Sequence, residues 1–363
     1  MSSTSTPTTM HALTARFLRQ AAVKEIRVPT PTTGQVLVKV EAVGLNAIDS
    51  KAQLGKLGNQ VVGCDFAGTI IQLGAESTQD QVGRQWQVGD RVAGMLYTCS
   101  SSTNGAFAEY AVSNVDTIFK IPDGVSFEAA AGLPLSFITS VLSVEGMLLQ
   151  WASENNVDEQ SPILIYSAST GLGQASVQLI RMLSSTRPII TLSSPSSFEL
   201  LKSYGATLTL SYKSDDATLL KQIEEAGFSN TGSNPIKLAL DCFSEGDSSK
   251  RCQVLMANDK GRIVRTLPPP LMGKPKKGFV VDWVFCFTAL NQSVRLLVFS
   301  WPPNPKDQSL AAKRLKQLTQ ALEQGKFKPM PIKSLPGGLD GINAGLDDIM
   351  KGKVQGNKFV LKL

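Results

Sequence analysis

Two glycines and several hydroxyl residues give residues 163–173 the composition of a phosphate-binding turn. The segment reads Ile-Leu-Ile-Tyr-Ser-Ala-Ser-Thr-Gly-Leu-Gly. Its apolar start predicts a buried strand, and Gly171 and Gly173 would let the backbone approach a pyrophosphate and a following helix pack closely. The N–H groups at the start of that helix could face an anion. The turn lacks the pattern G-x-G-x-x-G, so an ordinary strand, turn and helix is the alternative interpretation.

A second polar group follows the next predicted strand, residues 189–192. It reads Ser-Ser-Pro-Ser-Ser at 193–197, and Lys202 lies on the predicted helix behind it. Dinucleotide-binding folds that prefer NAD place Asp or Glu here to bind the ribose 2′-hydroxyl. Hydroxyls and one ammonium suit a 2′-phosphate instead, which favours NADPH. The alternative is that the serines cap the helix and Lys202 is solvated.

Histidine and cysteine chemistry have little support. The one histidine, His11, lies near the N-terminus and is interpreted as a surface residue, so no Ser-His-Asp triad or histidine-rich metal site can be assembled. The five cysteines are scattered, odd in number and never in a C-x-x-C pair, which indicates reduced thiols. Cys64 and Asp65 are adjacent and would make a poor tetrahedral site, so the sequence predicts no metal.

Composition indicates a soluble globular protein of two domains, or one elaborate domain. The chain has 363 residues and is 42% hydrophobic. Its most apolar region, residues 279–301, is interrupted by polar and charged residues and is not expected to span a membrane. The first ten residues resemble no targeting signal and are expected to form a disordered tail on a cytoplasmic protein.

The net charge of +6 is concentrated near the C-terminus, because residues 301–363 contain 11 Lys or Arg and 5 Asp or Glu. This excess is either a solvated face or a docking patch for an acidic partner. Nucleic acid is not expected, since no recognition motif is present.

The elements that would position these residues change character along the chain. Up to residue 125 the pattern predicts short strands, such as 35–43, 69–73 and 91–96, separated by turn residues. Helical patterns follow at 128–133 and 138–149. Beyond residue 163, strands at 189–192, 208–210, 237–242 and 262–266 alternate with helices at 198–204 and 217–226, which predicts a parallel sheet covered on both faces. A helix at 310–323 and a strand at 358–361 complete the chain.

Several of these segments, in this order and spacing, resemble the medium-chain dehydrogenase/reductase superfamily across nearly the whole chain. They are Gly-Cys-Asp-Phe-Ala-Gly (63–68), Val-Gly-Asp-Arg-Val (88–92), Gly-Ala-Phe-Ala-Glu-Tyr (105–110), Ala-Ala-Ala-Gly-Leu-Pro (129–134), the turn at 163–173 and Ala-Leu-Asp-Cys (239–242). The sequence is most similar to the zinc-independent, trans-acting enoyl reductases of fungal polyketide synthases. The narrower match rests on residues 46–51, 194–202, 282–283 and 337–340.

This resemblance implies an α/β protein with a GroES-like β-rich catalytic domain and a Rossmann cofactor domain with a doubly wound parallel sheet. The expected boundaries are a tail at 1–10, a catalytic domain formed by 11–130 and 302–363, and an NADPH-binding domain at 131–301. It also implies a set of cofactor-binding residues, namely Ile48, Asp49, Ser50, Lys51, Ser169, Thr170, Gly171, Leu172, Ser194, Pro195, Ser196, Ser197, Lys202, Tyr212, Thr266, Leu267, Val354 and Gln355.

The catalytic residues implied by the resemblance are Lys51 and Thr139. Lys51 would order the nicotinamide ribose or relay a proton, and Thr139 would donate to the thioester carbonyl. The alternatives are a solvent-facing loop lysine and a helix hydroxyl bonded to its own preceding turn. Substrate walls are implied at two segments that could equally be core: Ser136, Thr139, Ser140, Val141, Leu142, Ser143, Val144, Glu145, Gly146, Met147, Cys286, Phe287, Thr288, Ala289 and Leu290.

Three functions are compatible with these features. The first is an NADPH-dependent enoyl reductase acting on an enoyl thioester held by an acyl carrier domain of a polyketide synthase, alone or as a hybrid with a nonribosomal peptide synthetase (PKS-NRPS). The second is a zinc-free quinone or alkenal reductase acting on free small molecules, and the third is a non-catalytic cofactor-binding auxiliary protein. Prolines at 268–270 and lysines at 274, 276 and 277 discourage strand pairing, so a monomer is expected.

Overall fold

The chain divides into two units, one formed by Met1–Leu135 with Phe287–Leu363 and the other by Ser136–Cys286. A computed structural model describes residues 6–17, 19–52, 58–229, 234–256, 260–268, 277–296 and 299–363. The boundaries predicted from the sequence are 130/131 and 301/302. In the structure, the stretch from residue 287 to residue 301 groups instead with the β-rich unit.

The first part of the β-rich unit contains seven strands and two short helices. They are β1 (Thr9–Arg16), β2 (Arg19–Arg27), β3 (Gln35–Gly44), α1 (Ala47–Lys51), β4 (Asp65–Leu73), β5 (Arg91–Met95), β6 (Tyr110–Asn114), β7 (Ile118–Lys120) and α2 (Phe127–Ala131). Strands β1 and β2 form an antiparallel pair. Because β1 begins at Thr9 and buries Met10, the strand includes the last two residues of the expected tail; residues 1–5 lie outside the described part.

The second unit begins in one long helix and continues in alternating strands and helices. Its elements are α3 (Pro134–Ser140), a π-helical stretch (Val141–Leu149), α4 (Gln150–Glu154), β8 (Ile163–Tyr166), α5 (Gly171–Leu183), β9 (Ile189–Ser193), α6 (Phe198–Ser203), β10 (Leu208–Ser211), α7 (Asp216–Glu225), β11 (Leu238–Asp241), α8 (Ser248–Leu255), β12 (Gly261–Arg265) and β13 (Phe279–Trp283). The helix Pro134–Glu154 is apolar and long enough to cross a membrane, but 67% of its apolar window is buried, as in a core helix.

In the described part of this unit, the strands form one parallel sheet in the order β10-β9-β8-β11-β12-β13. The order reverses between β8 and β11, and ligands of such sheets bind at that point, beyond the carboxyl ends of the strands. Every residue of β9 and β11 is buried, as a central strand covered on both faces requires. The expected Rossmann sheet is therefore confirmed.

The chain then returns to the β-rich unit with β14 (Val294–Leu296), β15 (Phe299–Trp301), α9 (Pro305–Glu323), β16 (Ile332–Leu335), α10 (Gly338–Met350) and β17 (Lys358–Lys362). Strands of both parts form one sheet in the order β16-β17-β3-β4-β5-β7, with β6 also paired to β3. Helix α9 begins where Asn304 accepts a hydrogen bond from Asp307 N (3.1 Å) and Pro305 occupies the first turn.

Candidate active site

The turn after β8 closes around a strained serine. Ser167 has φ 58°, a left-handed conformation that glycine adopts readily and that costs other residues energy. The Thr170 hydroxyl donates to the Ser167 carbonyl (2.9 Å) and accepts from Gly173 N (3.2 Å), so Thr170 is the N-cap of α5. A Cβ on Gly173 would lie 2.5 Å from Ala168 Cα, so the turn requires glycine there. The sequence-predicted strand, turn and helix are thus present.

This turn presents the N-terminus of a 13-residue helix at the carboxyl edge of the sheet. Gln174 Nε2 donates to the Ser169 carbonyl at 2.8 Å and fixes the middle of the turn. The first N–H groups of a helix carry partial positive charge and can bind a phosphate. The residues expected at the pyrophosphate, Ser169, Thr170, Gly171 and Leu172, lie together at this position.

The serines predicted to bind the adenosine phosphate lie at a short 3-10 turn, Pro195–Ser197, between β9 and α6. Ser194 precedes the turn, and Ser196 and Ser197 are part of it. The hydroxyls of Ser194 and Ser196 are 3.0 Å apart, and neither Ser194 nor Ser197 makes a side-chain cap hydrogen bond. The interpretation of these serines as helix caps is therefore not supported. Lys202 forms an exposed ion pair with Glu199 (2.9 Å).

Tyr212 follows β10, the neighbour of β9. Its backbone N donates to the Ser193 carbonyl at 3.2 Å, and Tyr212 is 42% exposed to solvent. Because β9 and β10 are parallel and Ser193 faces Ser211 in their register, the chain leaves both strands at the same edge. The structure thus brings Tyr212 to the edge where the serines lie.

Thr266, expected at the nicotinamide end, follows β12 and contacts the loop after β11. Its N and its hydroxyl lie 2.9 and 3.1 Å from Ser244 Oγ, and Ser244 has φ 62°. The fully buried Asp241 carboxylate holds this loop by accepting from Ser244 N (2.8 Å) and from the Ser248 hydroxyl (2.6 Å). Asp241 and Ser244 were missed as site residues, although the motif Ala-Leu-Asp-Cys had been noted.

Lys51 lies at the end of α1 in the β-rich unit. Asn46 caps this helix in a capping box, in which Asp49 Oδ2 accepts from Asn46 N (2.9 Å). Asp49 is completely buried, and burial raises its pKa from 3.8 to about 7, a rise that its hydrogen bond with the Cys64 side chain opposes. Lys51 is half-buried, and the residues after Ala52, 53–57, lie outside the described part of the chain.

A polar cluster lies at the N-cap of α1, and we define it as the half-buried Asn46 with the buried Asp65 and Lys358. Lys358 Nζ, from β17, donates to Asp65 Oδ2 (2.9 Å) and Asn46 Oδ1 (2.5 Å), and Asn46 Nδ2 donates to Asp65 Oδ2 (2.9 Å). The second Asp65 oxygen accepts from Leu135 N at 2.8 Å. Within the described ranges, no group of three or more His, Cys, Asp or Glu residues could hold a metal ion.

Thr139 lies in the second unit on α3, and its carbonyl accepts from the Ser143 hydroxyl (2.7 Å). The expected substrate wall continues into the π-helical stretch, Val141–Leu149. Such wide turns are rare and are frequent at functional sites, and no feature of the sequence indicated this one. Ser136 and Ser140 are buried, and Glu145, Gly146 and Met147 are partly exposed.

The second expected substrate wall is a 3-10 turn, Cys286–Leu290, that crosses the unit boundary. Phe287 packs against Tyr97 with ring centroids 4.6 Å apart, and the Thr288 hydroxyl is 2.5 Å from Asp307 Oδ2. Val354 and Gln355 lie in the loop before β17 and are half-buried and exposed, respectively. Lys51 and these two residues belong to the β-rich unit, whereas Thr139 and the nucleotide turn belong to the other.

Known proteins resemble this chain in sequence. A family model described as the alcohol dehydrogenase GroES-like domain matches residues 32–123. Trans-enoyl reductase pvhC of Talaromyces variabilis is 32% identical over 351 residues, 93% of this chain and 92% of that protein. Trans-enoyl reductase RAP2 of Pyricularia oryzae is 30% identical over 341 residues, 92% of each chain.

Solved structures with lower identity have the same fold. The CurK enoyl reductase superposes with a TM-score of 0.72 at 23% identity, covering 98% of this chain and 99% of its own. Mycobacterial Rv1454c, solved in complex with NADPH, has a TM-score of 0.72 at 19% identity, with 98% and 100% coverage. This chain therefore belongs to the trans-enoyl reductases of the medium-chain dehydrogenase/reductase superfamily.

Proposed function

We propose that this protein uses NADPH to reduce the α,β-double bond of an enoyl thioester carried by an acyl carrier domain of a fungal polyketide synthase, which acts as its partner in trans. The observation that carries the cofactor assignment is the edge formed by the ends of β9 and β10. Ser194, Ser196 and Tyr212 follow these strands, and Lys202 lies on the helix behind the serines. No carboxylate occupies the position at the end of β9 where NAD-binding folds place one.

The residues at the carboxyl edge of the parallel sheet fit a dinucleotide. The turn at 167–173 would hold the pyrophosphate, the serines and Lys202 the adenosine phosphate, and Thr266 and Leu267 the nicotinamide end. The Gly173 contact with Ala168 leaves no room for a side chain, which is the close packing that a pyrophosphate turn requires. When bound, NADPH supplies the hydride that adds to the β-carbon.

The protein must then orient the thioester, stabilise negative charge on its carbonyl oxygen and provide for protonation of the α-carbon. We assign the carbonyl contact to the Thr139 hydroxyl and the ribose contact or proton relay to Lys51 Nζ. Neither role needs a nucleophile or a metal. The largely apolar residues 136–147 and 286–290 would form the walls around the acyl chain.

An acidic carrier domain is the partner that suits the basic end of the chain. On α9, Lys306, Lys313 and Lys316 are exposed, and Lys316 Nζ also donates to the Val82 carbonyl (2.8 Å). Reversing charge at Lys306 and Lys313 should lower kcat/KM for a carrier-bound substrate and leave kcat/KM for the matching pantetheine thioester unchanged. Equal effects on both substrates would contradict docking at α9.

We expect a cytoplasmic monomer. Pro268 precedes β13, the edge strand of the parallel sheet, and a proline near an edge discourages pairing with a second copy. The prolines at 269–270 and the lysines at 274 and 276 on which the same expectation rests lie outside the described residues. Light scattering of the purified protein tests it, and a mass of twice 38.9 kDa would contradict it.

The decisive experiment is an assay of enoyl pantetheine thioesters of graded length with NADPH and with NADH, with and without the synthase. We expect oxidation of NADPH in preference to NADH, and higher activity on carrier-bound substrate. Equal turnover of free alkenals or quinones would favour the small-molecule reductase, while cofactor binding without turnover of any thioester would favour an auxiliary protein. Lys51→Ala and Thr139→Val should lower kcat; a purely structural helper would retain its function in both variants.

A further inference from the structure

Arg251, on α8, holds the loop that follows β10. Its Nε donates to Asp216 Oδ1 at 2.7 Å, and its two terminal nitrogens donate to the carbonyl oxygens of Tyr212 and Ser214. The guanidinium therefore binds three acceptors within five consecutive residues, 212–216. Its side chain is only 19% exposed, so these bonds are partly shielded from water. We call residues 211–216 the adenosine loop.

The same guanidinium reaches the strand that leads into the pyrophosphate turn. Tyr166, the last residue of β8, is hydrogen-bonded to Arg251 through its side chain. Burial raises the Tyr166 pKa above its ordinary value, and the hydrogen bond to Arg251 opposes that rise. Because β8 and β10 lie on opposite sides of β9, Arg251 connects the ends of the two strands that flank the serine-bearing one.

The adenosine loop carries Tyr212, whose backbone N donates to the Ser193 carbonyl at 3.2 Å. Tyr212 is therefore bound to β9 through its N–H and to Arg251 of α8 through its carbonyl oxygen. Lys202, the cation expected at the phosphate, is exposed and paired with Glu199. An exposed, paired cation gives little discrimination by itself, because solvent screens its charge.

We propose that Arg251 is a positioning residue for recognition of the adenosine phosphate, an inference that rests on the proposed use of NADPH. Arg251 contacts Tyr212, a predicted phosphate ligand, at its backbone carbonyl and not at its side chain. It holds the backbone that carries Tyr212 in one conformation before the cofactor binds. Binding then costs less conformational entropy, because the loop is already ordered. Arginine is required because its planar fork satisfies several acceptors at once, whereas lysine carries a single point charge.

The test is the binding of 2′,5′-ADP and of 5′-AMP to Arg251→Met and Arg251→Lys, measured by titration calorimetry. Both variants should weaken binding of 2′,5′-ADP by about tenfold and of 5′-AMP by less than about threefold, because Tyr212 is assigned to the 2′-phosphate. The charge-matched control is Lys250→Met. Lys250 is the preceding residue and forms an exposed ion pair with Asp247 (2.7 Å), so its loss should leave both affinities unchanged.

Amide hydrogen exchange supplies a readout that does not depend on the phosphate. Exchange in residues 212–216 should rise about tenfold in both Arg251 variants and not in Lys250→Met. Asp216→Ala, which removes one of the three acceptors, should change exchange and 2′,5′-ADP affinity in the same direction and by less. Thermal unfolding without ligand identifies any variant that has lost its fold, and Asp216→Ala then remains as the milder perturbation.

Two outcomes separate this inference from the cofactor proposal. If the unaltered protein prefers 2′,5′-ADP but Arg251→Lys binds it equally well, the charge and not the fork is used, and the positioning role is overturned. Unchanged binding in Arg251→Met overturns it as well. If the unaltered protein does not prefer 2′,5′-ADP over 5′-AMP, the NADPH assignment fails and takes the phosphate role of Arg251 with it.

Discussion

Replacing Lys358 by methionine should destabilise the β-rich unit through the charge that it leaves behind. Methionine retains most of the side-chain volume but provides no donor. The side chains of Lys358 and Asp65 are 7% and 0% exposed, so the Asp65 carboxylate would remain buried without its cation. Breaking such a pair costs about 3–5 kcal/mol. Because Leu135 N and Asn46 Nδ2 still donate to Asp65 at 2.8 and 2.9 Å, the lower end of that range is expected.

The assay is urea unfolding followed by tryptophan fluorescence and circular dichroism, with the two units analysed as separate transitions if they do not coincide. Lys353→Met is the matched control, since Lys353 pairs with Asp348 at 2.8 Å but is 59% exposed. Its loss should cost less than about 1 kcal/mol. The double variant Lys358→Met with Asp65→Asn should lose free energy of unfolding by at least about 2 kcal/mol less than the summed losses of the two single variants. A Lys358→Met protein as stable as Lys353→Met would refute the reasoning.

Three further predictions concern α1 and the nucleotide turn. The pKa of Asp49 is about 7 in the folded protein and 3.8 ordinarily. Between these pH values the folded protein keeps a proton on Asp49 that the unfolded chain has lost. The free energy of unfolding therefore falls as the pH rises from about 4 to 7. Asp49→Asn should remove about 1.4 kcal/mol per pH unit of this dependence, measured by urea unfolding at pH 5 and 7, and an unchanged slope would contradict the assignment. Ser167→Gly should raise the free energy of unfolding by about 0.5–1 kcal/mol by relieving the left-handed backbone, whereas a loss of stability would show that φ 58° is not strained. Gly173→Val should abolish NADPH binding in a fluorescence titration, because even its Cβ would lie 2.5 Å from Ala168 Cα; Gly124→Ala, whose Cβ would meet nothing within 4 Å, should bind normally.

Local patterns predicted most of the parallel sheet because its central strands are short, buried apolar runs bounded by turn residues, and its helices alternate with them along the chain. Strands β9 and β12 were predicted within one residue of their bounds, as was α6. Helix α9 begins five residues before the predicted start, at Pro305, because its first turn is polar and is specified by the Asn304 cap. Period alone does not detect such a turn.

Contacts between distant parts of the chain could not be predicted from the sequence. Lys358 reaches Asp65 across 293 positions, and neither residue has a local pattern that indicates its partner. The bonds from Arg251 to the adenosine loop depend likewise on which strand ends meet at the sheet edge. The π-helical winding of residues 141–149 was not predicted either, because an apolar helical pattern does not distinguish wide turns from α-helical ones.

The position of β17 determines when each unit can fold during synthesis. Strand β17 lies between β16 and β3 in the sheet of the β-rich unit, so residues 42–44 of β3 lack their β17 partners until residues 358–362 have left the ribosome. The other unit, Ser136–Cys286, is one continuous stretch whose last strand is made some 75 residues earlier. Domains generally fold as they emerge, so the cofactor unit folds first and the nascent β-rich half waits with an unpaired strand edge. An unpaired strand edge is a site of aggregation, so this chain order leaves the nascent protein open to mispairing until synthesis ends.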